Sequence, residues 1–342
     1  MEPPFETVES LEAFLSRPTP EVVNAIRGLE GDLMVLGAGG KMGPTLAMLA
    51  RRAIAEAGVD KRVTAVSRFS DPQVAEKLRC AGVETIAGDL MDEEALEALP
   101  YVPNIIYMAG FKFGTSGRQA QAWAVNAFLP GRAVQRFRRS RIVLFSSGNV
   151  YPLVPVASGG CTEETPPGPV GEYAQSVLGR ERIFEHFARQ FNVPGVVLRL
   201  NYAVELRYGV LLDVARQVWD GQAIDLRMGH LNAIWQGDAN ACALRALAAA
   251  ETPPRVLNVT GPETIPVRWL ALQFGALLGR EPVFQGQEQE TALLSNAQQA
   301  FQLFGYPRVP LGQAIAWVAA WVRAGGPTLD KPTHFQVRDG RC

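Results

Sequence analysis

The stretch "DLMVLGAGGKMGPTLAMLARRAIAEAG", residues 32–58, constrains the fold more than any other part of the chain. Four apolar residues lead into a turn holding Gly37, Gly39, Gly40 and Gly43, and an alanine- and leucine-rich run follows. A strand entering a glycine turn that enters a helix is the opening of an α/β unit. Glycine makes the turn tight, lets a pyrophosphate approach the backbone and brings helix and strand close. The helix N-terminus then offers amide donors and the positive end of its dipole. The turn, with Lys41 and Met42 inside it, reads as a dinucleotide cradle.

The alternation continues. Apolar runs at 62–68, 83–90, 104–110, 141–147 and 195–201 read as strands, and 70–82, 92–99, 118–139 and 172–191 read as the helices between them. Continuous apolar strands imply a sheet buried on both faces, so the expected fold is α/β, a Rossmann-like doubly wound parallel sheet. Beyond residue 201 the pattern loosens. Helical runs at 209–221, 267–279 and 311–326 suggest a smaller C-terminal substrate lobe, while 238–251 and 255–261 return one helix and one strand to the sheet. The expected division is a helical extension over 1–30 and a dinucleotide-binding domain over 31–200 joined by 232–260. Residues 201–231 and 261–330 form the substrate lobe, and 331–342 a loose polar tail.

The chain has 342 residues, 47% of them hydrophobic, which is ample for such a core. Its 33 basic and 34 acidic residues leave a net charge of −1, so no global field favours nucleic acid or an anionic membrane. The basic run "QRFRRSR" closes a helix, where cations complement the dipole. Cys80, Cys161, Cys242 and Cys342 lie far apart, and His186, His230 and His334 are scattered, so no metal site is expected. The start "MEPPFETVES" has no basic-then-apolar leader, and no run nears the ~18 apolar residues of a spanning helix. The expected location is the cytoplasm, with its thiols reduced.

The end of the second strand should read the adenosine ribose, an acid there favouring NAD and a base favouring NADP. The sequence carries Ser67 and Arg68 and no acid, so NADP is expected, with NAD as the alternative and Lys41 as a second cation. Asp89 is placed to accept from the adenine amino group. Leu90, with Ala109 and Gly110 after the fourth strand, completes the cofactor wall.

In order and spacing these pieces resemble the extended short-chain dehydrogenases/reductases, the family of NAD-dependent epimerases and dehydratases, over roughly residues 31–325. The carriers are the glycine turn, "GDLMDEEAL", "YMAG", Asn126 in "AVNAFLPGRAV", "LFSSGNVYP", "EYAQSVLGRERIFE" and the weaker "LRLNY". The resemblance implies that Ser147 binds the reacting oxygen, Tyr173 moves the proton and Asn126 anchors a water chain. It also implies a lysine four residues past the tyrosine, which lowers the tyrosine pKa and holds the nicotinamide ribose. Here that position is Val177. Glu181 meets the family's glutamate eight residues past the tyrosine, so the reading frame has not slipped. The family's four-helix interface, built from the helices around 118–139 and 173–191, implies a homodimer.

Free tyrosine titrates near ~10, and an ammonium one helical turn away brings it within reach of neutral pH. Valine gives neither charge nor donor. That loss is more serious for oxidation than for reduction, where a protonated tyrosine is the state needed. Lys112, in the loop after the fourth strand, is the expected replacement. Arg180 lies about 10 Å of helical rise from Tyr173 and is expected to be too far. Arg199, Asn201, Arg227, His230 and Trp235, with Ser147, are expected around the substrate, whereas Trp317 and Trp321 read as packing. Two functional readings stay open. One is an NAD(P)-dependent oxidoreductase or epimerase working at a hydroxyl or carbonyl carbon of a small polar, sugar-like molecule. The other is a catalytically silent NADP(H)-binding sensor or scaffold. Retention of Ser147, Asn126 and Tyr173 together favours chemistry.

Overall fold

Two short helices open the chain, α1 (Val8–Leu15) and α2 (Pro20–Gly28), in a computed structural model that describes residues 5–112 and 117–340. Thr7 caps α1 by accepting from the Ser10 amide, and Thr19 caps α2, which has proline in its first turn. Both helices match the amphipathic pieces expected before residue 30.

Seven parallel strands then build one sheet: β1 (Leu33–Leu36), β2 (Val63–Ser67), β3 (Glu84–Ala87), β4 (Asn104–Tyr107), β5 (Arg141–Ser147), β6 (Gly195–Leu200) and β7 (Arg255–Val259). Their order is β7-β6-β5-β4-β1-β2-β3, so the chain winds outward from β1 in both directions. Side chains alternate across the sheet as the pleat requires. Leu33 and Val35 enter one buried layer, with α2, α3 (Gly43–Ala57) and α10 (Gln236–Ala246). Met34 and Leu36 enter the other, with α7 (Leu129–Arg136) and the 21-residue α8 (Gly171–Phe191). Burial on both faces explains why the strand sequences are continuously apolar. The doubly wound fold is the one the sequence implies.

A second core gathers α9 (Val210–Trp219), α11 (Val267–Leu278) and α13 (Leu311–Arg323). Both chain ends reach it: Phe5 packs on Trp317 with ring centroids 5.2 Å apart, and Phe335 is buried there too. Segment 331–340, expected to be a loose tail, is held instead. The Leu329 amide donates to the Arg207 carbonyl, and the Thr333 amide and hydroxyl both donate to Asp213, at 2.8 and 2.5 Å. Among the described residues no helix is long and apolar enough to cross a membrane, and no metal-binding cluster of His, Cys, Asp or Glu occurs.

Candidate active site

The strand order reverses between β1 and β4, and ligands of open α/β sheets settle at the carboxyl edge of such a switch point. A cavity of about 250 Å³ lies there. Its walls include Gly37, Gly40, Lys41, Met42 and Gly43 of the turn, Gly110 and Lys112 after β4, and Asn126, Ser147, Tyr173 and Asn201. The turn folds over the end of β2, with the Gly37 and Ala38 amides donating to the Val66 carbonyl at 2.8 and 3.1 Å. Gly37 has φ of 85°, and a Cβ on it would stand 2.4 Å from the Ala109 amide nitrogen, so only glycine fits. Helix α3 begins at Met42 without a side-chain cap, which leaves its first amides for a ligand.

Ser147 ends β5 half-buried at the cleft; its hydroxyl donates to Asn149 Oδ1 at 3.1 Å and accepts from the Asn149 amide. Tyr173 stands in the first turn of α8. Asn126 lies within a single π-helical turn, Ala124–Phe128, of the kind that collects at functional sites. It is fully buried, and its amide is spent on protein. Oδ1 accepts from the Phe111 amide and from Arg180, while Nδ2 donates to the Phe111 carbonyl and to Ser176 Oγ.

Arg180, set aside on helical rise, reaches the cleft wall. Seven residues make nearly two full turns, so Arg180 shares the face of Tyr173 more closely than residue 177 does, and its long side chain leans back toward the helix N-terminus. Its guanidinium donates to the Asn126 carbonyl at 3.1 Å, the Phe145 carbonyl at 2.7 Å and Asn126 Oδ1 at 2.8 Å. Among the described residues no carboxylate pairs with it. Val177 faces elsewhere, buried against Val150, Tyr151 and Cys161. The signal for Arg180 was present in the helical register and was outweighed by backbone distance alone.

Lys41 does not turn toward Arg68, as a second cation for a 2′-phosphate would. Its ammonium donates to the Ala203 carbonyl at 2.8 Å and lies over the Tyr208 ring, 3.7 Å from the centroid. Burial pushes it down to about 7 from the usual lysine range, opposed by Glu205 and aided by Lys112. At the adenosine end Arg68 lies 4.0 Å from Asp89, with both side chains exposed. Ser67 packs against Gly39, where a Cβ would meet its hydroxyl at 2.6 Å. Asp89 accepts from the Met91 amide; Leu90 and Ala109 are buried.

Asn201 joins Ser147 at the cleft wall, buried with Nδ2 unpartnered, but the other expected substrate residues do not. Arg227 is an exposed side chain paired to Asp225 at 2.6 Å. Trp235 is buried among Phe5, Phe14 and Trp317. His230 sits in a two-residue strand paired with Ile265–Pro266 and is absent from the cleft wall. Arg199 turns under the floor into a buried pair with Glu181. The cleft walls gain Tyr202, the last residue of "LRLNY", and Tyr208 and Thr333, which carried no motif.

Residues 33–226 match the model of the NAD dependent epimerase/dehydratase family. The chain belongs to this family. It is thereby an NAD(P)-dependent enzyme of the epimerase/dehydratase class. No curated protein matches the sequence. Among solved structures, UDP-glucuronic acid 4-epimerase from Bacillus cereus, bound to UDP-glucuronic acid and NAD, is 16% identical with a TM-score of 0.71. UDP-glucose 4-epimerase from Thermotoga maritima, with UDP-glucose, is 17% identical with a TM-score of 0.70. Each match covers 86% of this chain and 99% of the other. At such identities the likeness is one of fold. The family's cofactor suits the residues present, given the glycine-only contact at Gly37 and the uncapped amides of α3 beside it.

Proposed function

We propose that the protein is an oxidoreductase or epimerase acting at a hydroxyl or carbonyl carbon of a small polar, sugar-like substrate. The observation that carries this is the convergence of Tyr173, Ser147 and Arg180 on one cleft wall opposite the glycine turn. Ser147 holds the reacting oxygen and Tyr173 exchanges its proton. Arg180, a buried guanidinium without a carboxylate, and Lys112 supply the positive charge that a tyrosinate needs in place of the missing lysine. A bound nicotinamide dinucleotide supplies the hydride acceptor or donor. Gly37–Gly43 and the first amides of α3 would hold its pyrophosphate, with Arg68 and Ser67 at the adenosine ribose.

Arg68 makes NADP the form proposed; the Arg68–Asp89 pair is the feature that favours NAD. Titration of native and Arg68→Ala protein with NADPH and NADH, followed by fluorescence, decides between them. A screen of carbonyl compounds against native protein and Tyr173→Phe tests the chemistry. Cofactor binding in both with turnover in native protein alone supports the enzyme reading. Binding without turnover in either would return the chain to a silent sensor or scaffold.

A homodimer belongs to this reading. Trp123 and Phe128, 39% and 55% exposed, stand on the helical segment that packs beside α8, an apolar surface suited to a second copy. Cys80, Cys161 and Cys242 are free thiols, in keeping with the cytoplasm as its location.

A further inference from the structure

On the far side of Tyr173 from the glycine turn lies a second, smaller chamber of about 50 Å³. Lys112, Asn149, Tyr173, Tyr202 and Thr333 line both spaces, so the two adjoin across these side chains. The outer wall of the chamber is the C-terminal segment, through Thr333, Val337, Arg338 and Gly340. This segment is fixed at three points. Thr333 donates to Asp213, Phe335 is buried in the second core, and Gly340 lies against Gly171 two residues before Tyr173. A Cβ on Gly171 would stand 2.5 Å from the Gly340 carbonyl oxygen, so the strap closes directly on the catalytic helix.

Charge in these two spaces is one-sided. Lys41, Lys112, Arg180 and Arg338 contribute to the walls, and among the described residues no Asp or Glu does. The protein as a whole is nearly neutral, so the imbalance is local. Among the described residues Arg338 donates to neutral acceptors: the Thr291 carbonyl at 2.7 Å, Thr291 Oγ1 at 2.6 Å, the Arg227 carbonyl at 3.0 Å and Met228 Sδ at 3.7 Å. Of the nearby acids, Asp213 accepts from Thr333 and also acts on Lys112, while Asp225 and Asp339 act on Arg227. Desolvation lowers the Arg338 pKa without an opposing acid, which agrees with that geometry. Asn201 adds a buried amide donor without a partner at the cleft wall. Partly desolvated cations beside a small chamber are stabilised by an anion.

We propose that the chamber between Tyr173 and the C-terminal segment binds the anionic group of the substrate, a carboxylate or a phosphate, through Arg338 and Lys112. This rests on the reading of Tyr173 as the proton-exchanging group. A water needs roughly 10–15 Å³ of such space, so about 50 Å³ has room for a group of carboxylate or phosphate size and not, within the chamber itself, for a whole nucleoside diphosphate. The substrate class is a small hydroxy- or oxo-acid, or its phosphate ester.

The test uses the full chain with malonate, inorganic phosphate and UDP as probes, followed by thermal shift with and without saturating NADPH. Malonate, phosphate or both should protect saturably in the presence of NADPH, the stronger arm naming the anion. UDP should give no protection at equal concentration. In Arg338→Gln the anion affinity should fall at least ten-fold with NADPH binding unchanged, and Arg338→Lys should recover most of it. Equal anion affinity in native protein and Arg338→Gln, competition between the anion and NADPH, or protection by UDP would each overturn the proposal. A native protein that binds anions here but no nicotinamide nucleotide would instead sink the cofactor reading and leave the chamber standing.

Discussion

Arg180 donates to the side-chain oxygen of Asn126 at 2.8 Å, from a position seven residues beyond Tyr173 on the same helix. With its bonds to the Asn126 and Phe145 carbonyls, this ties α8, the π-helical turn and the end of β5 together under the cleft. Methionine at 180 would remove all three donors, leaving Asn126 Oδ1 with the Phe111 amide alone, at about 1–3 kcal/mol for each buried group that finds no other partner. Arg180→Met is expected to lower the melting temperature by several degrees and to slow oxidation more than reduction. Arg180→Lys should recover less than half of the stability, because a compact ammonium does not reproduce the planar spread of the guanidinium across its three acceptors. Thermal melts with forward and reverse assays check this; equal melting of Arg180→Met and native protein would refute it.

Val177 is 1% exposed and packs on Val150, Tyr151 and Cys161. A lysine there would bury its ammonium in an apolar cluster rather than present it to the cleft. Val177→Lys should therefore cost more than about 3 kcal/mol in denaturant unfolding and give no gain in turnover. An unchanged midpoint, or higher activity, would show that the helix can rotate the site back into use.

These two residues show where the sequence was legible and where it was not. The glycine turn, the strands and the order of the motifs follow local pattern, and the sheet forms where that pattern puts it. Backbone rise alone sets Arg180 too far from Tyr173, whereas a guanidinium at the end of a long side chain spans much of that distance. Trp235 and Arg227 were judged by their place in the chain. Trp235 is claimed by rings from residues 5, 14 and 317, and Arg227 by its neighbour Asp225. The C-terminal strap owes its order to Phe335 and to Asp213, 120 residues from Thr333. Contacts that distant leave no local trace.

Arg199 and Glu181 form a bidentate pair, 2.7 Å at its shortest, with each side chain 5% exposed. Tyr151 accepts from Arg199 at 2.8 Å, and Ser146 donates to Glu181 at 2.5 Å, so the network braces the floor beneath Ser147. Glu181→Ala leaves a buried guanidinium uncompensated and should destabilise by about 3–5 kcal/mol. Glu181→Leu combined with Arg199→Met should recover part of that loss, since an apolar pair needs no compensation. Chemical denaturation of both variants measures it, and a double variant less stable than Glu181→Ala would contradict the account.

Phe128 is 55% exposed on the helical segment beside α8. If that face joins two copies, Phe128→Glu places charges against each other in the interface and should yield a monomer. Sedimentation velocity at micromolar concentration reads the outcome. Native protein that sediments as a monomer would remove the dimer from the proposal.

Lys41 carries the clearest dependence on pH. Burial pushes its ammonium down to about 7, and Glu205, Asp213, Lys112 and Arg207 are the charges that act on it. Below pH 7 both folded and unfolded chains hold this proton. Between about 7 and the usual lysine range the unfolded chain holds it and the folded one does not, so this group makes stability rise with pH across that window. Cofactor binding works in the opposite sense. A pyrophosphate in the glycine turn favours the ammonium, so binding at pH 8 should take up a proton, and NADPH affinity should weaken as pH rises from 7 to 9. Calorimetric titration in two buffers of different ionisation enthalpy would show an uptake approaching one proton. Lys41→Met should abolish both the uptake and the pH slope; a buffer-independent enthalpy in native protein would mean that Lys41 does not sense the cofactor.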